Sequence, residues 1–353
     1  GVGAPSADPR QAFEEYKQAF GKAYASEEEE GRRFALFKAT LERIEEGNRR
    51  NGKPVFGLTW MSDRAPEESY QRGRKGHGSG RRLGNAAKVH KVPEPHAAAP
   101  ADVDWRLTRA VTAVKNQGQC GSCWAFSAAE EVESQYAIQV SDEYMTEFSP
   151  QQINSCVETS DGCGGGDTVA AFEYLKNSPG LASSFFWPYA QGLTPLDECS
   201  DKSCTQSCDS HDLSQLSTYE FYIGPSAHIT GYSYATAPCY GACERQNLTA
   251  LAAAVAQSGP VSICINAGVW NDYTGGVLTA AGCGSMAEPD VDHCVQLVGY
   301  NTTAPEPYWI VRNSWAASFG EEGYIYLEYG NNTCGIANEA TLVELESAAA
   351  LSE

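Results

Sequence analysis

The first 119 residues hold no cysteine, so neither a disulfide framework nor a thiolate-ligated metal site can form there. That part of the chain must be held by packing. Long hydrophobic runs are also missing. None approaches the ~18 apolar residues of a transmembrane helix, and no membrane span is expected. Basic residues are scarce beyond position 100, where 7 Lys and Arg face 31 Asp and Glu. That balance excludes DNA, RNA or an anionic membrane surface as the main partner, because each needs a basic face. No H-E-x-x-H or comparable ligand spacing occurs, which disfavours a metal-dependent hydrolase; no metal and no cofactor are expected.

What is present is uneven. A chain of 353 residues suggests about two domains of roughly 150 residues each. Residues 1–100 carry 18 Lys and Arg against 14 Asp and Glu, a net +4, so a small basic part is joined to a large acidic part of net −24. All 13 cysteines fall between Cys120 and Cys334. Such density reads as disulfide-bonded, hence a secretory-pathway protein that is lysosomal, vacuolar or secreted. The odd count leaves at least one thiol unpaired if no bridge is intermolecular. Three sequons, at Asn247, Asn301 and Asn331, agree with that compartment. No signal peptide is visible at Gly1-Val2-Gly3, and its prior removal is expected.

Periodicity predicts two helices within residues 10–50. Phe13, Tyr16, Phe20 and Tyr24 form one apolar stripe, and Phe34, Phe37, Leu41 and Ile44 form another. Gly21 and Ser26 supply a break and a candidate N-cap, followed by a Glu27–Glu30 run suited to a helix N-terminal turn. Residues 51–71 read as extended, anchored by Val55, Phe56 and Trp60. Residues 72–91 hold seven basic residues, no acidic one and five Gly, which reads as an exposed, solvated tether open to proteolysis. From Ala101 a helix over 123–138, opened by Ser122, precedes strands at Val261–Ile265, Val295–Tyr300, Tyr308–Val311 and Tyr324–Tyr329, an α+β arrangement.

The segment Gln117-Gly-Gln-Cys120-Gly-Ser-Cys123-Trp carries the most chemical information. A cysteine in the first turn of a helix sees the positive end of the macrodipole, which favours thiolate. The small residues Gly121 and Ser122 allow a substrate backbone to approach. A thiol nucleophile needs a base, and His293 stands at the start of a strand. The base needs an orienting partner, and Asn313 can hydrogen-bond one ring nitrogen.

Together with Asp104-Trp-Arg, Gly162-Cys163-Gly-Gly-Gly166, Gly259-Pro-Val and Asn313-Ser-Trp315, these residues resemble the papain family of cysteine proteases, the cathepsin L-like branch. The match spans roughly residues 99–345. The resemblance implies a papain-like two-lobed α+β fold, with a helical left lobe and a β-barrel-like right lobe. It implies Cys123 as nucleophile, His293 as base and then acid, Asn313 as orienter, Gln117 in the oxyanion hole and Trp315 as a shield over the His–Asn bond. At rest Cys123 and His293 would be a thiolate–imidazolium pair. Substrate contacts are expected from Gly165, Gly166, Asp167, Thr168, Cys264, Val291, Asp292, Cys294, Trp315 and Glu339. Phe319 replaces a tryptophan usual in the family, and only a packing adjustment is expected.

The N-terminal part resembles the family's inhibitory propeptide. Glu29, Arg33, Phe37, Ile44 and Asn48 meet the helical motif, with Thr40 in place of an Asn; Gly57 and Asp63 meet two positions of the downstream pattern. The implied organisation is an inhibitory propeptide at 1–71, a linker and maturation region at 72–98, and the catalytic domain at 99–353. Residues near 60–80 would cross the cleft in reverse orientation, and maturation would fall near Pro95–Ala101. Implied disulfides are Cys120–Cys163, Cys156–Cys199 and Cys283–Cys334. A Cys264–Cys294 bridge is open. Cys204, Cys208, Cys239 and Cys243 are expected to form two further bridges of unassigned pairing, in preference to a zinc site.

The expected function is a cysteine endopeptidase zymogen, autoinhibited by its propeptide and activated by acid-triggered proteolysis. Opposite charge would favour docking of the two parts and weaken as carboxylates protonate. Expected partners are polypeptide substrates, the chain's own propeptide and cystatin-like protein inhibitors, and a monomer is expected. Acidic residues Asp167 and Glu339 at positions matching the S2 pocket suggest that S2 accepts Arg as well as Leu or Phe, as in relatives such as cathepsin B with Glu at the pocket floor. Alternatives are an exopeptidase using His211 and His228, a non-catalytic binding homologue, and an N-terminal protein-binding module unrelated to inhibition.

Overall fold

A computed structural model describes residues 6–65, 68, 73–74, 88–92, 99–141, 143, 145–193, 206–216 and 224–346. Helix α1 (Pro9–Phe20) opens at Asp8, whose carboxylate accepts from the Arg10 N–H, and closes at Gly21 in the left-handed region. Helix α2 (Glu27–Asn51) opens at Ser26, whose hydroxyl accepts from the Glu29 N–H at 3.1 Å, with four glutamates in its first turn. The two helices enclose a small core of Ala12, Phe13, Tyr16 and Phe37. No cysteine supports it; a polar knot does. Asp63 accepts from Tyr16 Oη (2.7 Å), Tyr24 Oη (2.8 Å) and Lys22 Nζ (2.8 Å). Burial pushes the Asp63 carboxyl up, but those three donors outweigh it and hold it below its ordinary range.

The motif residues of α2 divide between two tasks. Arg33 grips Glu29 (2.6 Å) and, by both terminal nitrogens, Glu68. Asn48 accepts from the Val55 and Phe56 N–H groups and donates to the Phe56 carbonyl, which turns the chain out of the helix into an extended run. Val55, Phe56 and Ile44 then join the core of the large acidic part. Gly57 donates to the Asp272 carbonyl at 2.8 Å. Thr40 is buried and bonds back to the Leu36 carbonyl.

In the acidic part, helix α3 (Cys123–Gln139) is buried from Cys123 through Gln135. Ser122 stands at its N-cap but makes no capping bond; its hydroxyl pairs with Tyr189 Oη at 2.7 Å instead. Helices α4 (Pro150–Cys156) and α5 (Thr168–Asn177) pack beside α3 in one core. The second core belongs to a sheet of β1 (Asp102–Asp104), β2 (Ile229–Tyr234), β3 (Val261–Ile265), β4 (Val277–Leu278), β5 (His293–Asn301), β6 (Tyr308–Arg312), β7 (Tyr324–Glu328) and β8 (Glu339–Leu345). Its order is β2-β8-β3-β5-β6-β7-β4, with β1 also on β5; pairing is antiparallel except for β4 with β7. Helix α6 (Leu248–Ser258) and the short α7 (Ala280–Cys283) flank it. The four strands expected from the sequence are present as β3, β5, β6 and β7; β1, β2, β4 and β8 were not expected.

Two expectations need correction. Cys156 pairs with Cys208, not Cys199. Residues 206–211 fold back onto the helical lobe, where Gln206 accepts from Trp187 Nε1 at 2.9 Å and His211 stacks on the Trp187 ring, and this brings Cys208 to α4. Cys239 pairs with its near neighbour Cys243. Cys199 and Cys204 lie outside the described residues. Bridges Cys120–Cys163, Cys264–Cys294 and Cys283–Cys334 are present, and Cys123 is a free thiol.

The second correction concerns the basic stretch 72–91, which is not simply a solvated tether. Gly73 and Arg74 are buried, and Val89 bridges Tyr234 at the sheet edge, with His90 Nε2 against Ser258 Oγ at 2.8 Å. Arg72, Lys75, Arg81 and Arg82 lie outside the described residues, as do Pro95–Ala98 of the expected maturation region.

Candidate active site

The junction of α3 with β5 and β6 brings the chemistry-bearing residues together. Cys123 begins α3 in full burial, and His293 begins β5. His293 Nε2 lies 2.8 Å from Asn313 Oδ1, the residue just after β6. Since the amide oxygen accepts, that bond fixes Nε2 as the protonated nitrogen and leaves Nδ1 to handle a proton on the opposite side of the ring. Trp315 covers the pair, its ring centroid 4.9 Å from that of His293. Trp270, which carries no sequence signal of its own, meets His293 edge-on at 5.8 Å. Phe319 stacks on Trp270 and packs edge-on against Trp315. The smaller ring in place of a tryptophan thus keeps an aromatic wall.

Gln117 is buried, donating from Nε2 to the Cys120 carbonyl (2.9 Å) and accepting at Oε1 from Ser314 Oγ (2.7 Å). Its amide is therefore fixed next to the turn that carries Cys123. Tyr189 Oη donates to the Gln117 carbonyl at 2.9 Å and completes this frame.

The cleft is occupied by the chain itself. The Gly73 N–H donates to Cys123 Sγ at 3.3 Å, and the Gly73 carbonyl accepts from the Gly166 N–H at 2.8 Å. Arg74 N–H donates to the Asp292 carbonyl at 3.0 Å, and Arg74 bridges Gly166 in the parallel sense. A Cβ on Gly166 would lie 2.5 Å from the Trp124 ring, so only glycine lets this wall form. Gly165 supplies the turn before it, at φ 115°. Burial pushes the Cys123 thiol up to about 11, against the lowering effect of the Cys294, Gly73 and Trp124 N–H groups. Cover by the chain thus works against the thiolate through desolvation.

Beside the cleft, Asp167, Glu339 and the Val291 carbonyl meet around the Arg74 side chain, with Thr168 against Glu339 and Cys264. Thr168 Oγ1 donates to Glu339 Oε1 at 3.4 Å, and the Cys264–Cys294 bridge joins β3 to β5 where Cys264 also pairs with Glu339. Glu288 completes this group and was not anticipated. The exopeptidase histidines are elsewhere: His211 is stacked on Trp187, and His228 lies by Ser226 and Gly180. Among the described residues no cluster suited to a metal ion occurs. Asn247 and Asn331 are exposed and Asn301 is half-buried at the end of β5.

A thiol at a helix start, an imidazole oriented by an amide, and a preceding stretch of chain whose residues 73–74 cover the thiol define a class: cysteine peptidases made in latent form. The chain belongs to the papain family of cysteine proteases, whose profile matches residues 99–343, and the cathepsin propeptide inhibitor domain matches residues 13–69. It is 34 % identical to cysteine proteinase B of Leishmania mexicana, over 99 % of this chain and 71 % of that protein. It is also 34 % identical to digestive cysteine proteinase 3 of Homarus americanus, over 96 % and 95 %. The structure of digestive procathepsin L2 proteinase from Tenebrio molitor superposes with a TM-score of 0.75 at 29 % identity, covering 96 % of this chain and all of that one. The chain is a papain-like cysteine endopeptidase zymogen with an inhibitory propeptide.

Proposed function

We propose that Cys123 is the nucleophile, His293 its base and then its acid, Asn313 the group that orients the imidazole, and Gln117 an oxyanion-hole donor together with the Cys123 N–H. Once residues 73–74 leave the cleft, water and substrate reach the sulfur and the desolvation that works against the thiolate is relieved. His293 takes the thiol proton, the thiolate attacks a peptide carbonyl, and the oxyanion is met by fixed donors, each worth about 10²–10³ in rate. The same histidine protonates the leaving amine, and water hydrolyses the thioester.

The observation that carries this reading is the Gly73 N–H on Cys123 Sγ, since it places the blocking segment on the sulfur itself. The division at about 71 and 98 into propeptide, linker and catalytic domain fits the two matched ranges. Acidic conditions in a lysosomal, vacuolar or extracellular setting would release the propeptide by protonating the carboxylates that face it. Attached glycans at the three sequons, a monomeric state and recognition by cystatin-like inhibitors belong to the same reading.

The test is incubation of the full chain at acidic pH with N-terminal sequencing of the product, beside Cys123→Ala. Wild type converts and gains peptidase activity while the variant stays intact. Conversion of Cys123→Ala alone in solution would refute the assignment.

A further inference from the structure

The hydroxyl of Tyr189 stands between the two ends of the turn that leads into α3. It lies 2.9 Å from the Gln117 carbonyl and 2.7 Å from Ser122 Oγ. A phenol has one proton and a carbonyl can only accept, so that proton goes to Gln117. Ser122 is then the donor in the second bond. The relay runs from the Ser122 hydroxyl through Tyr189 to the Gln117 backbone, and each bond in such a chain strengthens the next. The ring is fixed edge-on against Phe126 of α3, with centroids 4.7 Å apart. The segment that bears it is anchored to α4, because the Ala190 and Gln191 N–H groups both donate to Gln151 Oε1.

A serine at a helix N-cap ordinarily accepts from the N–H of the second or third helical residue. Ser122 does not. The third N–H, of Ala125, goes to the Ser122 carbonyl at 2.9 Å. The second, of Trp124, is left to the Cys123 sulfur, where it favours the charged form. A Ser122 hydroxyl turned onto the helix would compete for that N–H, and Tyr189 is the group that turns it away. At the other end of the relay the Gln117 backbone is held on both sides. Its N–H donates to the Ser314 carbonyl at 2.9 Å, and its own carbonyl lies where a Cβ on Gly192 would come within 2.7 Å.

We propose that Tyr189 is a positioning residue of the peptidase reaction. Its hydroxyl draws the Ser122 side chain off the start of α3, which leaves the Trp124 N–H to the Cys123 sulfur. The same hydroxyl holds the Gln117 backbone where the side-chain amide meets the oxyanion. The proposal rests on the roles given above to Cys123 and Gln117. Besides Tyr189, the titratable groups beside the sulfur are Asp292 and His293, and the substitutions below leave both in place.

The experiment compares wild type, Tyr189→Phe, and Tyr189→Phe combined with Ser122→Ala. Each full-length zymogen is activated in acid with a trace of mature wild type and normalised to its alkylatable Cys123. On one peptide amide kcat and KM are measured, and Cys123 alkylation by iodoacetamide is followed across a pH series. Tyr189→Phe keeps the ring and loses the hydroxyl. Its kcat is expected to fall about tenfold with KM within about twofold, a smaller loss than the 10²–10³ for outright removal of an oxyanion donor. Its alkylation midpoint is expected to rise by about one pH unit, the loss of one N–H to a charged sulfur. Adding Ser122→Ala removes the competing hydroxyl, so the midpoint returns to the wild-type value while kcat stays low. A midpoint unmoved in Tyr189→Phe overturns the proposal, as does a midpoint still raised in the double variant or a kcat equal to wild type. A merely structural role would lower the unfolding temperature of both variants without the midpoint moving and returning. Absence of cleavage by wild type would overturn the peptidase reading and this proposal with it; the other failures overturn this proposal alone.

Discussion

At Gly73 the backbone runs so close to the cleft wall that a methyl group would overlap the carbonyl oxygen of Gly121. Gly121 in turn lies against the Cys163 carbonyl and cannot retreat. The blocking thread therefore depends on one missing side chain. Gly73→Ala is expected to lift the thread from Cys123 without disturbing the mature enzyme, which lacks that residue after processing. The measurement is the alkylation rate of Cys123 in the unprocessed chain at neutral pH, expected to rise at least tenfold; a rate equal to wild type would count against the contact. Asp63 is the corresponding single point in the propeptide core. It ties helix α1, through Tyr16, to the turn that follows it, through Lys22 and Tyr24, and a buried carboxylate deprived of such donors costs about 3–5 kcal/mol.

Helix α3 carries three buried glutamates in different circumstances. Glu133 is paired with Lys115 at 2.7 Å and with Thr112, and Glu130 lies 3.5 Å from Arg312. Glu131 is pushed up to about 8 by burial, and the groups that partly offset this are uncharged: the Val343 and Ser262 backbone, Gln296 and Gln135. Its folded value thus lies above its ordinary one of 4.5. The native state binds this proton more tightly than the unfolded chain. The resulting stability is full below the ordinary value and is lost as pH rises from there toward about 8. Glu131→Gln is expected to raise stability at pH 7 by about 3 kcal/mol and to change it little in acid. Thermal unfolding at both pH values checks this, and an equal effect in acid would contradict it. A helix packed across a sheet thereby favours an acidic working environment through one residue.

Across the whole molecule the charge asymmetry becomes a set of contacts. Arg43 meets Asp272 at 3.2 Å, Lys53 meets Glu306, Lys88 meets Glu344 at 2.5 Å, and Arg74 meets its three carboxylates. In each case the base comes from the N-terminal part and the acid from the C-terminal part. The exposed pairs contribute about 0–1 kcal/mol each and are screened by salt, whereas the buried Arg74 contacts are screened least. Burial raises the Asp272 carboxyl above its ordinary value despite the opposing effect of Arg43. It therefore takes up a proton earlier than an exposed carboxylate as pH falls, and its attraction for Arg43 is lost with it. Arg43→Ala is expected to move the pH midpoint of zymogen conversion upward by a few tenths of a unit, roughly the effect of one exposed pair. Conversion rates across a pH series would reveal it. An unchanged midpoint would assign acid sensitivity to the Arg74 contacts alone.

Cys123, His293 and Asn313 could be singled out as candidates in the sequence because each stands in a local frame (a helix start, a strand start, a strand end) and because together, in this chain order, they resemble the family's pattern. The propeptide helices were legible because caps and apolar spacing are local properties, and Ser26 and Gly21 act within one turn of where they stand. The Cys156–Cys208 pairing was not, since two cysteines at similar separation compete and only the fold of residues 206–211 onto Trp187 chooses between them. Trp270 and Glu288 were invisible for the same reason: their partners are distant in sequence. Composition alone determined that the chain has a basic front and an acidic body. Tertiary structure decided where that charge is spent: one arginine of the apparent tether enters a pocket that three separate elements close. Burial, which strengthens charge and hydrogen bonding, exists only once those elements have met.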